Sequence, residues 1–140
     1  MTAVECSIKK WKLEKVALCS PVEESVVASK LNALGRAYSR DVLALYAVTG
    51  GMEDGHSDSH LWSFWHLEKV VAETSLYTQP YILFADFLCN SHLYCFKYVN
   101  KEHSSVCVDY LNGKEPELLA GSVEEFFEIL NSDPARLGMF

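Results

Sequence analysis

A short polar loop carries the residue types that could bind a metal ion. His56, Asp58 and His60 alternate along it, and Glu53 and Asp54 precede them. Imidazole nitrogens and carboxylate oxygens at this spacing are ligands that suit zinc or nickel. A solvated acidic loop is the simpler interpretation, because structural zinc sites need four fixed ligands and short motifs often match by chance. A metal site formed by His56, Asp58 and His60 is therefore an alternative hypothesis.

Cysteine residues are the second source of chemistry. The chain has five cysteines and no Cys-x-x-Cys motif. A nucleophilic cysteine needs a base within hydrogen-bonding distance and a lowered pKa. Cys89, Cys95 and Cys107 are the candidates, with His92 or His103 as the base. Cys95 and Cys107 lie in strand-like patterns that favour core packing, and both histidines fall at predicted turns, so catalysis by a thiol is also an alternative hypothesis.

The overall charge excludes two classes of partner. The 140-residue chain has 19 acidic and 12 basic residues, which gives a net charge of −7. Nucleic acids and anionic membrane surfaces bind clustered lysine and arginine, so neither is an expected partner. A basic protein is compatible with this charge. The early lysines and glutamates interrupt any signal-peptide core, no apolar run approaches the roughly 20 residues that span a bilayer, and the odd cysteine count indicates reduced thiols, so we expect a cytoplasmic protein.

Aromatic residues directly follow the acidic loop. Trp62, Phe64 and Trp65 belong to one short predicted strand, in which Trp65 faces the side opposite to the other two. Either all three are core residues, or at least one is partly exposed and forms a protein-contact surface. A homodimer that buries Trp62 and Trp65 is a third interpretation, so a monomer and a homodimer both stay open. The residues predicted to contact a partner are Glu53, Asp54, Asp58, Trp62, Asp86 and Tyr94.

Helices are predicted for the first third of the chain. Residues 1–19 fit either a helix or a strand. Ser20-Pro21-Val22-Glu23 has the pattern of a capping box, which predicts a helix that ends at Gly35. Ser39 then begins a helix for which Gly50-Gly51 serves as the C-terminal cap.

Strands dominate the remainder, apart from a helix predicted over residues 66–74. Short turns separate the later strands, which must therefore pair antiparallel. A second capping box, Ser122-Val123-Glu124-Glu125, begins a closing helix, and Asp133-Pro134 ends it. This order predicts a single α+β domain over residues 1–140, with an antiparallel or mixed sheet flanked by helices. The predicted strands are residues 61–65, 81–89, 92–99 and 104–110.

Three stretches occur in an order that points to a known superfamily. Residues 23–51 end in Leu43-Ala44-Leu45-Tyr46-Ala47-Val48-Thr49-Gly50-Gly51, residues 82–86 and 93–98 form a strand pair, and residues 122–130 read Ser-Val-Glu-Glu-Phe-Phe-Glu-Ile-Leu. Together they resemble the SUKH superfamily, which includes fungal cell-wall-assembly regulators and many bacterial toxin-immunity proteins. The resemblance covers about residues 20–132. The chain departs from the usual pattern at Ala37-Tyr38, where the family has Leu-Pro, and at a shorter turn over residues 88–91.

The resemblance implies a protein-binding module without catalysis, often one that neutralises a cognate toxin. We therefore predict a non-enzymatic protein that binds another protein and needs no cofactor. Immunity to a basic toxin domain is the most specific form of this prediction, because carboxylates speed the encounter with a basic partner. The alternative is a small metal-binding or thiol-dependent enzyme centred on residues 53–66.

Overall fold

A five-stranded antiparallel sheet forms the centre of the structure. The computed structural model describes residues 2–139, which form five α-helices, five strands and one 3₁₀ helix. The strands are β1 (Trp62–Phe64), β2 (Ile82–Phe87), β3 (His92–Tyr98), β4 (Ser104–Asp109) and β5 (Glu117–Ala120). The helices are α1 (Ala3–Leu13), α2 (Glu24–Leu34), α3 (Arg40–Val48), α4 (Leu67–Leu76), α5 (Val123–Ser132) and the 3₁₀ helix Pro134–Leu137.

The strands form a meander in the order β1-β2-β3-β4-β5. Every neighbouring pair is antiparallel, so the α+β class is confirmed and the sheet is not mixed. The sequence analysis missed β5, an edge strand of four residues whose side chains are mostly exposed. Without an apolar alternation, such a strand gives no periodic signal in the sequence. Among the described residues, no helix combines the length and the apolar character needed to cross a bilayer.

Trp62 lies at the centre of the core on one face of the sheet. Its ring centroid is 6.1 Å from that of Trp11 on α1, 6.3 Å from Phe84 on β2, 6.1 Å from Tyr94 on β3 and 5.7 Å from Phe126 on α5. Such tilted and edge-to-face contacts add to the free energy that area burial provides. One side chain on a three-residue strand therefore joins two helices to the sheet.

The first helix pairs with the last one. Val4, Ser7 and Trp11 are buried at helical spacing, so within the ambiguous residues 1–19 the stretch Ala3–Leu13 is a helix. Met1 lies outside the described residues. The Ala3 amide donates to the Glu124 carboxylate at 2.9 Å, so an acidic residue of α5 caps the positive end of α1. Asn131 accepts from the Ser7 hydroxyl at 2.6 Å and donates to the Ala3 carbonyl at 2.9 Å.

The two predicted capping boxes have different outcomes. Ser122 caps α5 as predicted, because its hydroxyl accepts from the Glu125 amide at 3.1 Å. The box at residues 20–23 is wrong: α2 begins at Glu24, and its N-cap residue Glu23 makes no side-chain capping bond. The backbone before α2 is used elsewhere, since the Val22 amide donates to the Tyr46 carbonyl of α3 at 2.8 Å.

Gly50 and Gly51 do not cap α3, which ends at Val48 with Thr49 as its C-cap. They allow backbones to approach closely. A Cβ atom at Gly50 would lie 2.0 Å from the Ser20 carbonyl oxygen, and one at Gly51 would lie 2.5 Å from the Trp65 carbonyl oxygen. The glycine pair therefore lets the segment after α3 pass between the chain that enters α2 and the chain that enters α4.

Gly50→Ala is expected to destabilise the fold by more than about 3 kcal/mol, because the added Cβ would clash with backbone atoms of Cys19 and Ser20, which cannot rotate away as a side chain could. Gly35→Ala is the matched control: Gly35 has a φ of 68° but open space around it, so we expect a cost of only about 1 kcal/mol. Urea unfolding followed by tryptophan fluorescence measures both. Equal losses in the two variants would contradict the close-approach explanation.

Candidate functional site

An open acidic cleft lies between α2, the start of α4 and the loop that follows α3. Its volume is about 480 Å³. Glu53 and Asp54 enter it from the loop, and Glu68 enters it from the first turn of α4; all three residues are exposed. Val22 and Val26 line the side formed by α2 and the residues before it. The cleft therefore combines three solvent-accessible carboxylates with an apolar wall.

Backbone hydrogen bonds hold the acidic loop in place at its start. The Met52 amide donates to the Phe64 carbonyl of β1 at 2.8 Å, and the Glu53 amide donates to the Ala17 carbonyl at 2.9 Å. The loop is thus fixed both to the sheet and to the segment between α1 and α2. These bonds involve main-chain atoms, so they fix the backbone that carries Glu53 and Asp54.

His66 fixes the other side of the cleft and uses both ring nitrogens in doing so. Its Nδ1 accepts from the Lys69 amide at 3.3 Å, which caps α4. Its Nε2 lies 2.9 Å from Asp54 Oδ1. These partners assign the proton to Nε2, so the imidazole donates to Asp54 and has no free nitrogen to serve as a general base.

The pKa of the Cys19 thiol reflects the negative charge of the cleft. Burial raises the pKa of its thiol, and the carboxylates of Glu53, Asp54 and Glu68 raise it further. A protonated thiol is a weak nucleophile, so Cys19 is not activated for covalent catalysis. The same carboxylates that suppress a thiolate favour a bound cation.

The structure divides the six predicted contact residues into two groups. Glu53 and Asp54 line the cleft and are exposed. Trp62 and Tyr94 have 0% exposure, so their place on a partner surface is a wrong prediction. Phe64 and Trp65 are buried as well, which makes all these aromatic residues core and excludes a homodimer through Trp62 and Trp65.

Asp58 and Asp86 are also buried, and they bind the main chain instead of a partner. Asp58 Oδ1 accepts from the His60 amide at 2.8 Å and from the Trp62 amide at 3.0 Å, and so shapes the turn before β1. Asp86 accepts from Trp65 Nε1 at 3.3 Å and from the Asn90 amide at 3.0 Å. The second bond supports residues 88–90, which all have positive φ. Both carboxylates are therefore structural.

The predicted metal ligands do not converge. His56 Nδ1 accepts from the Ala17 amide at 3.2 Å, Asp58 binds the turn, and His60 is exposed. Within residues 2–139, no three His, Cys, Asp or Glu residues are placed to hold one metal ion. The alternation of these residues did not bring them together, because the turn that Asp58 shapes directs them to different partners.

The histidines proposed as thiol activators have other neighbours. His92 Nδ1 lies 2.9 Å from the Ser91 carbonyl oxygen, and His103 Nδ1 lies 3.9 Å from Asp41 Oδ2. Cys95 and Cys107 lie opposite each other on β3 and β4.

A serine, an aspartate and a histidine meet at the start of α3, which the sequence analysis did not detect. The Ser39 hydroxyl donates to Asp41 and lies 2.5 Å from the Ser104 hydroxyl, while His103 approaches Asp41 from outside. In a catalytic triad the histidine must contact the serine, whereas here the carboxylate lies between them. The group joins α3 to the β3–β4 hairpin, together with a 2.7 Å bond from the Arg40 amide to the Lys101 carbonyl.

Glu68 is the cleft residue that the sequence analysis missed. Its position in the first turn of a predicted helix was visible, but its distance from Glu53 and Asp54 depends on how α4 packs.

Comparison with models of protein families, with curated proteins and with solved structures gives no match for this chain. The geometry and charge of the cleft suit a basic or amphipathic segment of another molecule.

Asp58→Asn is expected to match or exceed wild-type stability at neutral pH. The variant keeps Oδ1, which accepts both turn hydrogen bonds, and it removes a buried charge. Burial raises the pKa of Asp58 above 3.8, so the folded state binds this proton more tightly than the unfolded chain. Wild-type stability therefore falls as the pH rises from the unfolded pKa through the raised folded pKa, and the variant lacks this loss.

Urea unfolding between about pH 3 and pH 7 measures the difference, which should grow with pH. Asp58→Ala is the control, because it removes the acceptor of two buried amides and should cost about 1–3 kcal/mol at every pH. An Asn variant as unstable as the Ala variant would show that the charge itself stabilises the turn.

Proposed function

We propose that this chain is a non-catalytic protein-binding module of the SUKH type that binds a basic partner protein through the acidic cleft. Neutralisation of a toxin domain is its most specific role. The observation that carries the proposal is the convergence of Glu53, Asp54 and Glu68, from two separate segments, on one cleft. The arrangement of helices, strand meander and closing helix also agrees with the resemblance in the sequence.

The charge distribution in the cleft suits a lysine or arginine side chain. Exposed carboxylates steer a basic partner during diffusion and fix its orientation, while contributing modestly to affinity in water. Val22 and Val26 provide apolar area that a basic side chain's methylene groups can cover. Lys30 lies on the same wall, which favours a partner that carries an acidic residue beside its basic ones.

Binding is favoured over catalysis by the state of the cleft's reactive groups. The Cys19 thiol is held protonated by burial and by nearby carboxylates, and both nitrogens of His66 are occupied. A nucleophile without a thiolate and a base without a free lone pair do not support acyl transfer or hydrolysis. We infer a reducing compartment such as the cytoplasm, because all five cysteines are free.

Charge reversal in the cleft tests the proposal. The probe is a growth-arresting C-terminal domain of a secreted protein encoded beside this chain. We expect the triple variant Glu53→Lys, Asp54→Lys, Glu68→Lys to lower the association rate constant by about tenfold or more at low salt, because steering depends on these charges. The wild-type rate should also fall with added salt. Stopped-flow fluorescence measures the rates, and co-production measures protection of growth.

The matched control reverses three exposed carboxylates outside the cleft, Glu73, Glu115 and Glu128, with the same change in net charge. It should retain most of the association rate and full protection. Equal effects of both triple variants would show that overall charge, not the cleft, governs binding. A genome with no such toxin domain beside this chain would contradict the immunity role, and turnover of the probe by this chain would contradict a non-catalytic module.

A further inference from the structure

Two cysteines face each other at the centre of the sheet. Cys95 on β3 and Cys107 on β4 are direct partners in the antiparallel register, and both are buried. Opposite residues in such a pair have Cα atoms about 4.5 or 5.5 Å apart. Disulfides form across Cα separations of about 4.4–6.8 Å, so the backbone already has a suitable spacing.

The pair is electrostatically asymmetric. Interaction with the Cys95 thiol lowers the pKa of Cys107, burial acts against this, and the Lys97 ammonium reinforces it. Interaction with Cys107 and burial both raise the pKa of Cys95. Lys97 lies two residues after Cys95 and therefore on the same face of β3. Of the two thiols, Cys107 is therefore the one that loses its proton more readily.

Burial restricts what can reach the pair. Cys95 is 0% exposed and Cys107 is 2% exposed, whereas Cys6 and Cys89 lie on the surface. A thiolate in this position is shielded from bulky disulfides, so only a small oxidant can react with it during local opening of the sheet.

We propose that Cys95 and Cys107 form a peroxide-sensitive dithiol that closes reversibly to a disulfide between β3 and β4. This modification site lies in the sheet, apart from the acidic cleft, so it does not rest on the proposed function.

The reaction consumes one hydrogen peroxide. The Cys107 thiolate attacks one peroxide oxygen, an S–O bond forms, the O–O bond breaks, and the departing hydroxide takes a proton from solvent. The Cys95 sulfur then attacks the sulfenic acid sulfur of Cys107. The S–S bond forms, the S–O bond breaks, and the leaving oxygen departs as water with the Cys95 proton. Two thiols are oxidised to one disulfide, and the peroxide is reduced to two water molecules.

Strand geometry favours reversibility. Directly opposite Cβ atoms are about 4.5–5.5 Å apart in an antiparallel pair, whereas a relaxed disulfide needs about 3.8 Å. Closing the bond therefore draws β3 and β4 together, and a dithiol reductant should reopen it readily.

The test oxidises the folded full chain with hydrogen peroxide and then counts free thiols. After denaturation in iodoacetamide, we expect the species that carries the new bond to lose two of its five labelling sites. Peptide mapping should find a linked peptide that contains Cys95 and Cys107 and is two hydrogens lighter than the separate peptides. Dithiothreitol should restore both sites. Oxidation confined to Cys6, Cys19 or Cys89, or a link from Cys95 or Cys107 to one of these, would overturn the proposal.

Single variants identify the attacking sulfur. In Cys95→Ser, whose hydroxyl replaces the neighbouring thiol, Cys107 should stop at a sulfenic acid that dimedone traps, whereas in Cys107→Ala the remaining Cys95 should stay unmodified over the same time. Trapping at Cys95 instead would overturn the assignment of Cys107 as the nucleophile. Circular dichroism verifies that each variant is folded. If a variant is unfolded, the wild-type peptide map still shows whether Cys95 and Cys107 form a disulfide. Cys6→Ser with Cys89→Ser should form the same link.

Discussion

The burial of Trp62 is the interaction on which the rest of the structure depends. β1 has only three residues, too few to hold a sheet edge by backbone hydrogen bonds alone. The Trp62 ring provides the missing free energy by packing against rings from α1, β2, β3 and α5. Since β1 lies between the acidic loop and α4, fixing this strand also fixes the two segments that supply the cleft's carboxylates.

The position of the cleft thus depends on the core, and Leu67 belongs to both. Gly50 and Gly51 allow the chain after α3 to pass close to Ser20 and Trp65, which brings the acidic loop beside α2. His66 then joins the loop to α4 through Asp54. Main-chain hydrogen bonds hold the backbone of the acidic loop in place. The carboxylates of Glu53, Asp54 and Glu68 stay exposed to water, so bringing them together costs little desolvation free energy.

The buried cysteine pair and the exposed carboxylates of the cleft lie in different parts of this protein. Cys19, at the cleft, has acidic neighbours that oppose a thiolate, whereas Cys107, in the sheet, lies near Lys97 and opposite Cys95. The acidic surface suits recognition of a cation, and the sheet pair suits redox chemistry with a small oxidant. The cysteines acquire these different pKa values from the residues packed around them, not from their position in the sequence.

The sequence by itself determined the features that depend on neighbouring residues: the α+β order, the Ser122 cap and strands β2, β3 and β4. Capping, periodicity and short turns act within a few residues, so a linear pattern contains them. Only the tertiary structure decided which acidic residues are exposed. Asp58 and Asp86 differ from Glu53 in being buried, where they accept hydrogen bonds from main-chain amides up to four residues away. The bond from Trp65 Nε1 to Asp86 joins residues that are distant in the sequence, so it depends on tertiary packing. Long-range packing likewise buried Trp62, brought Glu68 into the cleft and placed Cys95 opposite Cys107.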